Sequence, residues 1–254
     1  MAQPHLKIIG HRGASYDAPE NTLSAFKLGY HQGADAVELD IHLTKDGRVV
    51  VIHDPDTARI AGVPHRVAQR TFEELRQLEV GRWGRWKDKG FSERIPGLEE
   101  VLTIIPGGKR LFIEIKCSLE ILPELGQVLG RGGKKPEQTV LIGFDLQTMR
   151  QAKASFPRLP VFWLVGAGTA GKGYPPVHQL IESAHIANFD GLNLEKGFPI
   201  EHEFVRLVHQ AGLKLCTWTV DDAEVARRQA AAGVDGIATN RPGWMREQLC
   251  QLAG

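Results

Sequence analysis

The chain has 254 residues, with 31 Lys plus Arg against 30 Asp plus Glu and a formal net charge of +1. So balanced a charge excludes the broad field that would recruit nucleic acid or an anionic membrane, and leaves any affinity for phosphate to local groups. No apolar run reaches the length of a membrane span, and the first residues lack a secretory leader pattern. Cys117, Cys216 and Cys250 are odd in number and far apart, which fits reduced packing thiols in a cytoplasmic protein rather than a disulfide framework.

Short apolar runs alternate with stretches of helical period, the order in which crossover helices join parallel strands. Strands are expected at 6–10, 36–41, 111–116, 139–143, 161–165, 191–194, 213–219 and 236–239. A further apolar run, 48–53, follows 36–43 through Thr44-Lys45-Asp46-Gly47, an Asp-Gly turn that makes a hairpin. Parallel neighbours need a dozen or more connecting residues, so 48–53 runs antiparallel and returns His53 and Asp54 towards the level of Asp40. Residues 55–97 mix charges with Trp83, Trp86 and Phe91 and show no crossover pattern, and are read as a small inserted subdomain ahead of a helix at 98–105. Ile200, Phe204, Leu207, Val208 and Ala211 share one face of a helix that Gly212 stops. The reading is one domain over 1–254, a TIM (β/α)8 barrel with a β-hairpin after strand two and that insertion before the second helix.

Polar residues gather at the C-terminal ends of the first strands: His11-Arg12-Gly13, Glu38-Leu39-Asp40, His53-Asp54 and Glu114-Ile115-Lys116. Barrel enzymes build their active sites on that face, and charges inside apolar strands are costly unless paired or bound to something. Glu38 and Asp40 lie two apart, so strand alternation aims both to one side, where Glu114 or Lys116 can join them. Three neighbouring carboxylates repel one another, and a hard divalent cation with a taste for oxygen, Mg2+ or Ca2+, relieves them. The blander account is an ion-pair network of Glu38 or Glu114 with Lys116 or Arg12. His11 and His53 titrate near roughly pH 6.5 when unperturbed, so one can accept a proton while the other donates one. His42 shares a row with Glu38 and Asp40 and is expected behind them or facing solvent.

These motifs, together with Pro19-Glu20-Asn21-Thr22, Lys45-Asp46-Gly47, Ile95-Pro96 before Leu98, and Trp218-Thr219-Val220, make the chain resemble the glycerophosphodiester phosphodiesterase family from Ile8 to Pro242. The resemblance implies that Glu38, Asp40 and Glu114 ligate the metal, that His11 and His53 serve as general base and acid, and that Arg12 and Lys116 hold the phosphate. It also implies a small glycerophosphodiester substrate, with Trp218 lining the glycerol side, although a packed aromatic closing the barrel top is the structural alternative. Asp221 stands where the family often has Asn, Gly143 where Ser is usual and Gly97 where Thr is usual; none is a proposed ligand or catalyst. Two rival functions share the motifs: hydrolysis of lysophospholipids by a lysophospholipase D, and a silent barrel that only binds.

Two stretches are set aside. Gly166 to Gly173 nearly matches a nucleotide-binding loop, but Gly173 stands where Ser or Thr is needed. Arg82-Trp83-Gly84-Arg85-Trp86-Lys87 could stack on nucleic acid or lipid, and a subdomain core with a solvated rim is preferred.

Overall fold

The computed structural model describes residues 6–167 and 173–250. Most of the glycine-rich stretch after Val165 therefore lies outside the described residues. In chain order the elements are β1 (Lys7–Gly10), α1 (Leu23–His31), β2 (Ala36–Leu43), β3 (Val49–Val51), α2 (Ala58–Ala61), α3 (Phe72–Arg76), α4 (Leu98–Ile104) and β4 (Arg110–Ile115). Then follow α5 (Leu122–Arg131), β5 (Thr139–Gly143), α6 (Leu146–Ser155), β6 (Val161–Val165), α7 (Val177–Ile186), β7 (Gly191–Glu195), α8 (His202–Gln210), β8 (Lys214–Trp218), α9 (Ala223–Ala232), β9 (Gly236–Thr239) and α10 (Pro242–Cys250). The strand order is β1-β9-β8-β7-β6-β5-β4-β2, and β1 pairs with β2 to close the barrel; every pairing in this ring is parallel. The expected eight parallel strands are present, and the helix anticipated at 200–211 is trimmed to α8.

Alternation divides the strands between two cores. Inward residues fill the lower lumen, among them Ile9, Ala36, Phe112, Val140, Ile142, Phe162, Leu164, Cys216 and Ala238. Outward residues such as Leu39, Ile41, Ile113 and Leu192 pack under the helices. Cys216 lies in the lumen and Cys117 packs on the outer core, but Cys250 is exposed, so it does not serve packing as expected.

The hairpin forms as the turn chemistry required. β1 pairs only with the first residues of β2, Ile9 with Ala36 and Gly10 with Val37, before the chain turns away. β3 then takes the other end of that edge, pairing Ile41 with Val51 and Leu43 with Val49 in antiparallel register. Ile52 N donates to Asp40 O at 3.0 Å, which puts His53 beside the upper part of β2.

Between β3 and α4 the chain builds its own apolar cluster from Val50, Ile52, Val67, Phe72, Leu75, Val80 and Ile95. Trp83 and Trp86 are not in it. Trp83 is 47% exposed, and the two indoles line a cavity at the barrel mouth. The basic-aromatic stretch is thus not the subdomain core anticipated from composition, because Val, Leu and Phe of the shorter elements fill that space first.

The loop after β1 is the tightest backbone of the mouth. Gly13 has φ +82°, and a Cβ there would lie 2.5 Å from the backbone of Ala25. Arg12 and Asn21 also adopt left-handed values, φ 54° and 57°, a conformation that costs a non-glycine residue about 1–3 kcal/mol and marks functional loops. Gly13→Ala is expected to lower stability by about 2–4 kcal/mol, seen as a shifted urea midpoint, with loss of activity; a wild-type midpoint would contradict this account of the loop.

Candidate active site

Glu38 and Asp40 rise from β2 in the lumen row begun by Ala36, and Glu114 stands opposite Asp40 in the β2–β4 register. Their ligand oxygens lie within 4.8 Å of one another, and all three residues are buried. The lumen therefore changes from apolar below to acidic above within two residues on each strand.

Cations surround the cluster without neutralising it. Lys116 Nζ is 2.8 Å from Glu114 Oε1 and 3.8 Å from Asp40 Oδ1. Arg12 donates its backbone N–H to Glu38 Oε2 at 2.9 Å, and its Nε lies 3.3 Å from Asp40 Oδ2. Asn21 grips Asp40 twice, Nδ2 donating to Oδ2 at 2.8 Å while Oδ1 accepts from the Asp40 backbone at 3.3 Å. The ion-pair network anticipated as the blander account exists, yet it leaves Glu38 Oε1 and Asp40 Oδ1 buried with no hydrogen-bond partner. Burial, then the charge of Asp40, pushes Glu38 well above the ordinary carboxylate range and Glu114 to about 7. Orphaned carboxylate oxygens and carboxyls that resist ionising are what a site for a divalent cation looks like without its charge, so the donor set fits a hard metal ion.

Two imidazoles meet this cluster. His11 Nδ1 is 2.7 Å from Asn240 Oδ1, and Asn240 Nδ2 donates to Asp221 Oδ2 at 2.5 Å. A carboxylate only accepts, so Asp221 fixes the Asn240 amide, whose oxygen then requires a proton on His11 Nδ1. His11 Nε2 keeps its lone pair and lies 4.0 Å from Glu38 Oε2. Burial, seconded by the Arg12 charge, lowers the His11 pKa. His53 Nδ1 donates to Asp54 Oδ1 at 2.6 Å, and its Nε2 is 3.1 Å from Lys116 Nζ. His42, buried beneath, bonds the His53 carbonyl through Nε2 at 3.1 Å, steadying the hairpin rather than facing solvent.

A second tier ties the pieces together. Glu20 accepts from Arg12 at 2.9 Å and from Arg59 at 2.7 and 2.8 Å, and Arg59 also reaches Asp54 at 2.7 Å. Burial is the largest single influence on Glu20 and Asp54 and works upward, but the hydrogen bonds and charge of Arg59, joined by Arg12 at Glu20 and by His53 at Asp54, together outweigh it and hold each at about 2. Glu20, Asn21, Asp54, Asp221 and Asn240 carried no assigned role in the sequence reading. Glu20 and Asn21 were visible inside Pro19-Glu20-Asn21-Thr22, whose Thr22 caps α1; Arg59 and Asn240 gave no signal, because only folding brings them near.

On the far side of the cluster Trp218 donates Nε1–H to Asn193 O at 3.0 Å and meets Phe144 edge-on at 5.4 Å. Lys116 Nζ lies 5.9 Å from the Phe144 ring. All eight residues singled out in the sequence, His11, Arg12, Glu38, Asp40, His53, Glu114, Lys116 and Trp218, thus lie at or near the C-terminal strand ends of the barrel.

An α/β barrel with three buried carboxylates, paired cations and two oriented imidazoles at its catalytic face defines a class, the barrel enzymes that work on charged substrates through a bound cation. Residues 11–244 match the model of the glycerophosphoryl diester phosphodiesterase family, and the chain belongs to that family. It is 36% identical over 242 residues to a glycerophosphodiester phosphodiesterase of Caldanaerobacter subterraneus subsp. tengcongensis, covering 92% of this chain and 94% of that one. A glycerophosphodiester phosphodiesterase of Bacillus altitudinis is 40% identical over 242 residues, with 93% and 95% covered. A phosphodiesterase of Oleispira antarctica, solved in complex with the product sn-glycerol-3-phosphate, superposes with a TM-score of 0.85 at 27% identity, covering 96% of each chain.

The raised carboxyls generate a pH-dependent prediction. Without a cation, Glu38 and Glu114 stabilise the fold below their ordinary value of 4.5, and for Glu114 that contribution is lost as pH rises through about 7. Adding Mg2+ or Ca2+ to EDTA-stripped protein is expected to raise the Tm far more at pH 8 than at pH 5 by calorimetry. An increment that is the same at both values would speak against a cation at these residues.

Proposed function

We propose that this chain hydrolyses glycerophosphodiesters to sn-glycerol 3-phosphate and an alcohol, with Glu38, Asp40 and Glu114 holding Mg2+ or Ca2+. The observation that carries the reading is the meeting of two imidazole Nε2 atoms and two cations around three buried carboxylates, two of whose oxygens lack hydrogen-bond partners. The product complex of the Oleispira relative supports the same substrate class.

Arg12 and Lys116 bind the phosphate and draw off the negative charge that builds on its oxygens, in a site that holds them fixed beforehand. A bound cation supplies further charge neutralisation there. His11, held from charging by burial and by Arg12 and with its Nδ1 proton committed to Asn240, presents Nε2 to the reacting oxygens. His53, oriented by its Nδ1–H bond to Asp54, presents the second Nε2, and between them the two imidazoles take a proton from the attacking oxygen and give one to the leaving alcohol. Trp218 lines the glycerol side, its indole anchored on Asn193. The free thiols fit a reducing, cytoplasmic compartment, and among the described residues no helix is long and apolar enough to cross a membrane.

Tyr16, Leu119, Phe144 and Leu146, exposed in or beside the loops after β1, β4 and β5, favour a second reading in which the same machinery accepts a lipid-bearing diester. Turnover of lysophosphatidylcholine exceeding that of glycerophosphocholine would favour it.

The test is glycerol 3-phosphate release from glycerophosphodiesters, read with EDTA and after Mg2+ or Ca2+ is restored. His11→Ala and His53→Ala are each expected to cut kcat by about 10²–10⁴-fold, and activity untouched by EDTA would remove the metal from the proposal. Asp221→Asn frees the Asn240 amide to turn over, and is expected to lower kcat and to move the His11 ring-nitrogen NMR shifts towards the other tautomer; unchanged shifts would show that Asp221 does not set the tautomer.

A further inference from the structure

Beside His11 and Arg12, on the side away from Trp218, opens a cavity of about 400 Å³ walled by Tyr16, Trp83 and Trp86 and by Glu20, Arg59 and Arg85. It shares its inner wall with the imidazole and guanidinium that face the phosphate, so what it receives is joined to that phosphate. Trp83 reaches this position because Gly62 yields to it: a Cβ on Gly62 would lie 2.4 Å from the indole.

Three aromatic rings beside a phosphate site would ordinarily point to a quaternary ammonium, held by ring faces and a nearby carboxylate. Two observations oppose that ligand. Two of the three rings already carry a cation, Arg85 lying 4.4 Å over Trp86 and 5.8 Å over Tyr16, and Arg241 4.3 Å over Tyr16, so a cage around an ammonium would rest on Trp83 alone. The one carboxylate in the wall, Glu20, is occupied by Arg12 and Arg59 and offers no spare negative charge.

The spare charge is of the opposite sign. Arg12 and Arg59 are matched by Asp40, Glu20 and Asp54, whereas Arg85 makes no ion pair among the described residues. Its guanidinium is stacked on Trp86 and donates Nη2–H to the Ser15 carbonyl, which restrains it and leaves other N–H groups for a ligand. A planar, restrained and unpaired guanidinium suits the oxygens of a phosphate and repels an ammonium.

Resting on the phosphodiesterase reading above, we propose that this cavity receives the leaving alcohol and that Arg85 selects alcohols bearing a second phosphate over those bearing a quaternary ammonium. The preference is a specificity of binding at the alcohol side; the bond broken and the protons moved are those of the reaction already described.

The experiment measures initial rates of glycerol 3-phosphate release from bis(glycerophospho)glycerol, glycerophosphoglycerol and glycerophosphocholine, with Mg2+ or Ca2+ present. The expected order of kcat/KM is the order given, with the first exceeding the last by about tenfold or more, as a charge-assisted contact allows. Arg85→Gln is expected to reduce that ratio about tenfold, and Lys87→Gln, an exposed neighbour outside the cavity, to leave it unchanged. Raising the salt concentration compresses the wild-type ratio. Equal or better turnover of the choline diester by the wild type, or a ratio unmoved in a folded Arg85→Gln, overturns the selection by Arg85 and leaves the phosphodiesterase reading standing. Release from none of the three diesters removes that reading, and this one with it.

Discussion

Three carboxylates forced together at the top of a closed barrel are the constraint on which the rest of the site depends. Strand alternation leaves Glu38 and Asp40 no other direction, and the β2–β4 register sets Glu114 against Asp40. Buried at this separation they cannot all ionise unaided, which is why Glu38 and Glu114 resist losing their protons. The surrounding chain supplies partial relief from every side: the Arg12 backbone, the Lys116 ammonium and the Asn21 amide. What it withholds, a hydrogen bond for Glu38 Oε1 and Asp40 Oδ1, leaves a donor set that fits a cation.

The same constraint explains the unusual backbone nearby. Arg12 accepts a left-handed conformation because only that turn returns its N–H to Glu38, while Gly13 lets the loop press against α1. Glu20 and Arg59 then join this loop to the hairpin through Asp54, so one continuous charged network ties the loop that carries His11 to the imidazole of His53. His11 is further oriented from behind by Asn240 and Asp221, at the ends of β9 and β8. Asp221 thus bears on the imidazole and not on the substrate pocket directly.

The fold was readable because its signals are local. Alternation, crossover length and an Asp-Gly turn each act over a few residues, so the strand set, the hairpin and the barrel could be drawn from the chain alone. The residues within those strands were readable for the same reason, since a charged side chain in an apolar strand is conspicuous wherever it occurs. The basic-aromatic stretch around Trp83 was misjudged as core, because composition does not say which apolar residues fill a small cavity first. Val67, Phe72 and Leu75 did, and the indoles were left at the rim.

By itself, then, the order of residues determined the barrel, its hairpin and the identity of the acidic and imidazole groups, all of which follow from spacing along single elements. Only the tertiary structure decided that Asn240 and Asp221 stand behind His11, that Arg59 spans from Glu20 to Asp54, and that Arg85 stays without an acidic partner. Hydrogen bonds and ion pairs act over a few ångströms in space, between residues as much as 229 positions apart in the chain. No periodicity along a sequence encodes them, and they exist only once the barrel has closed.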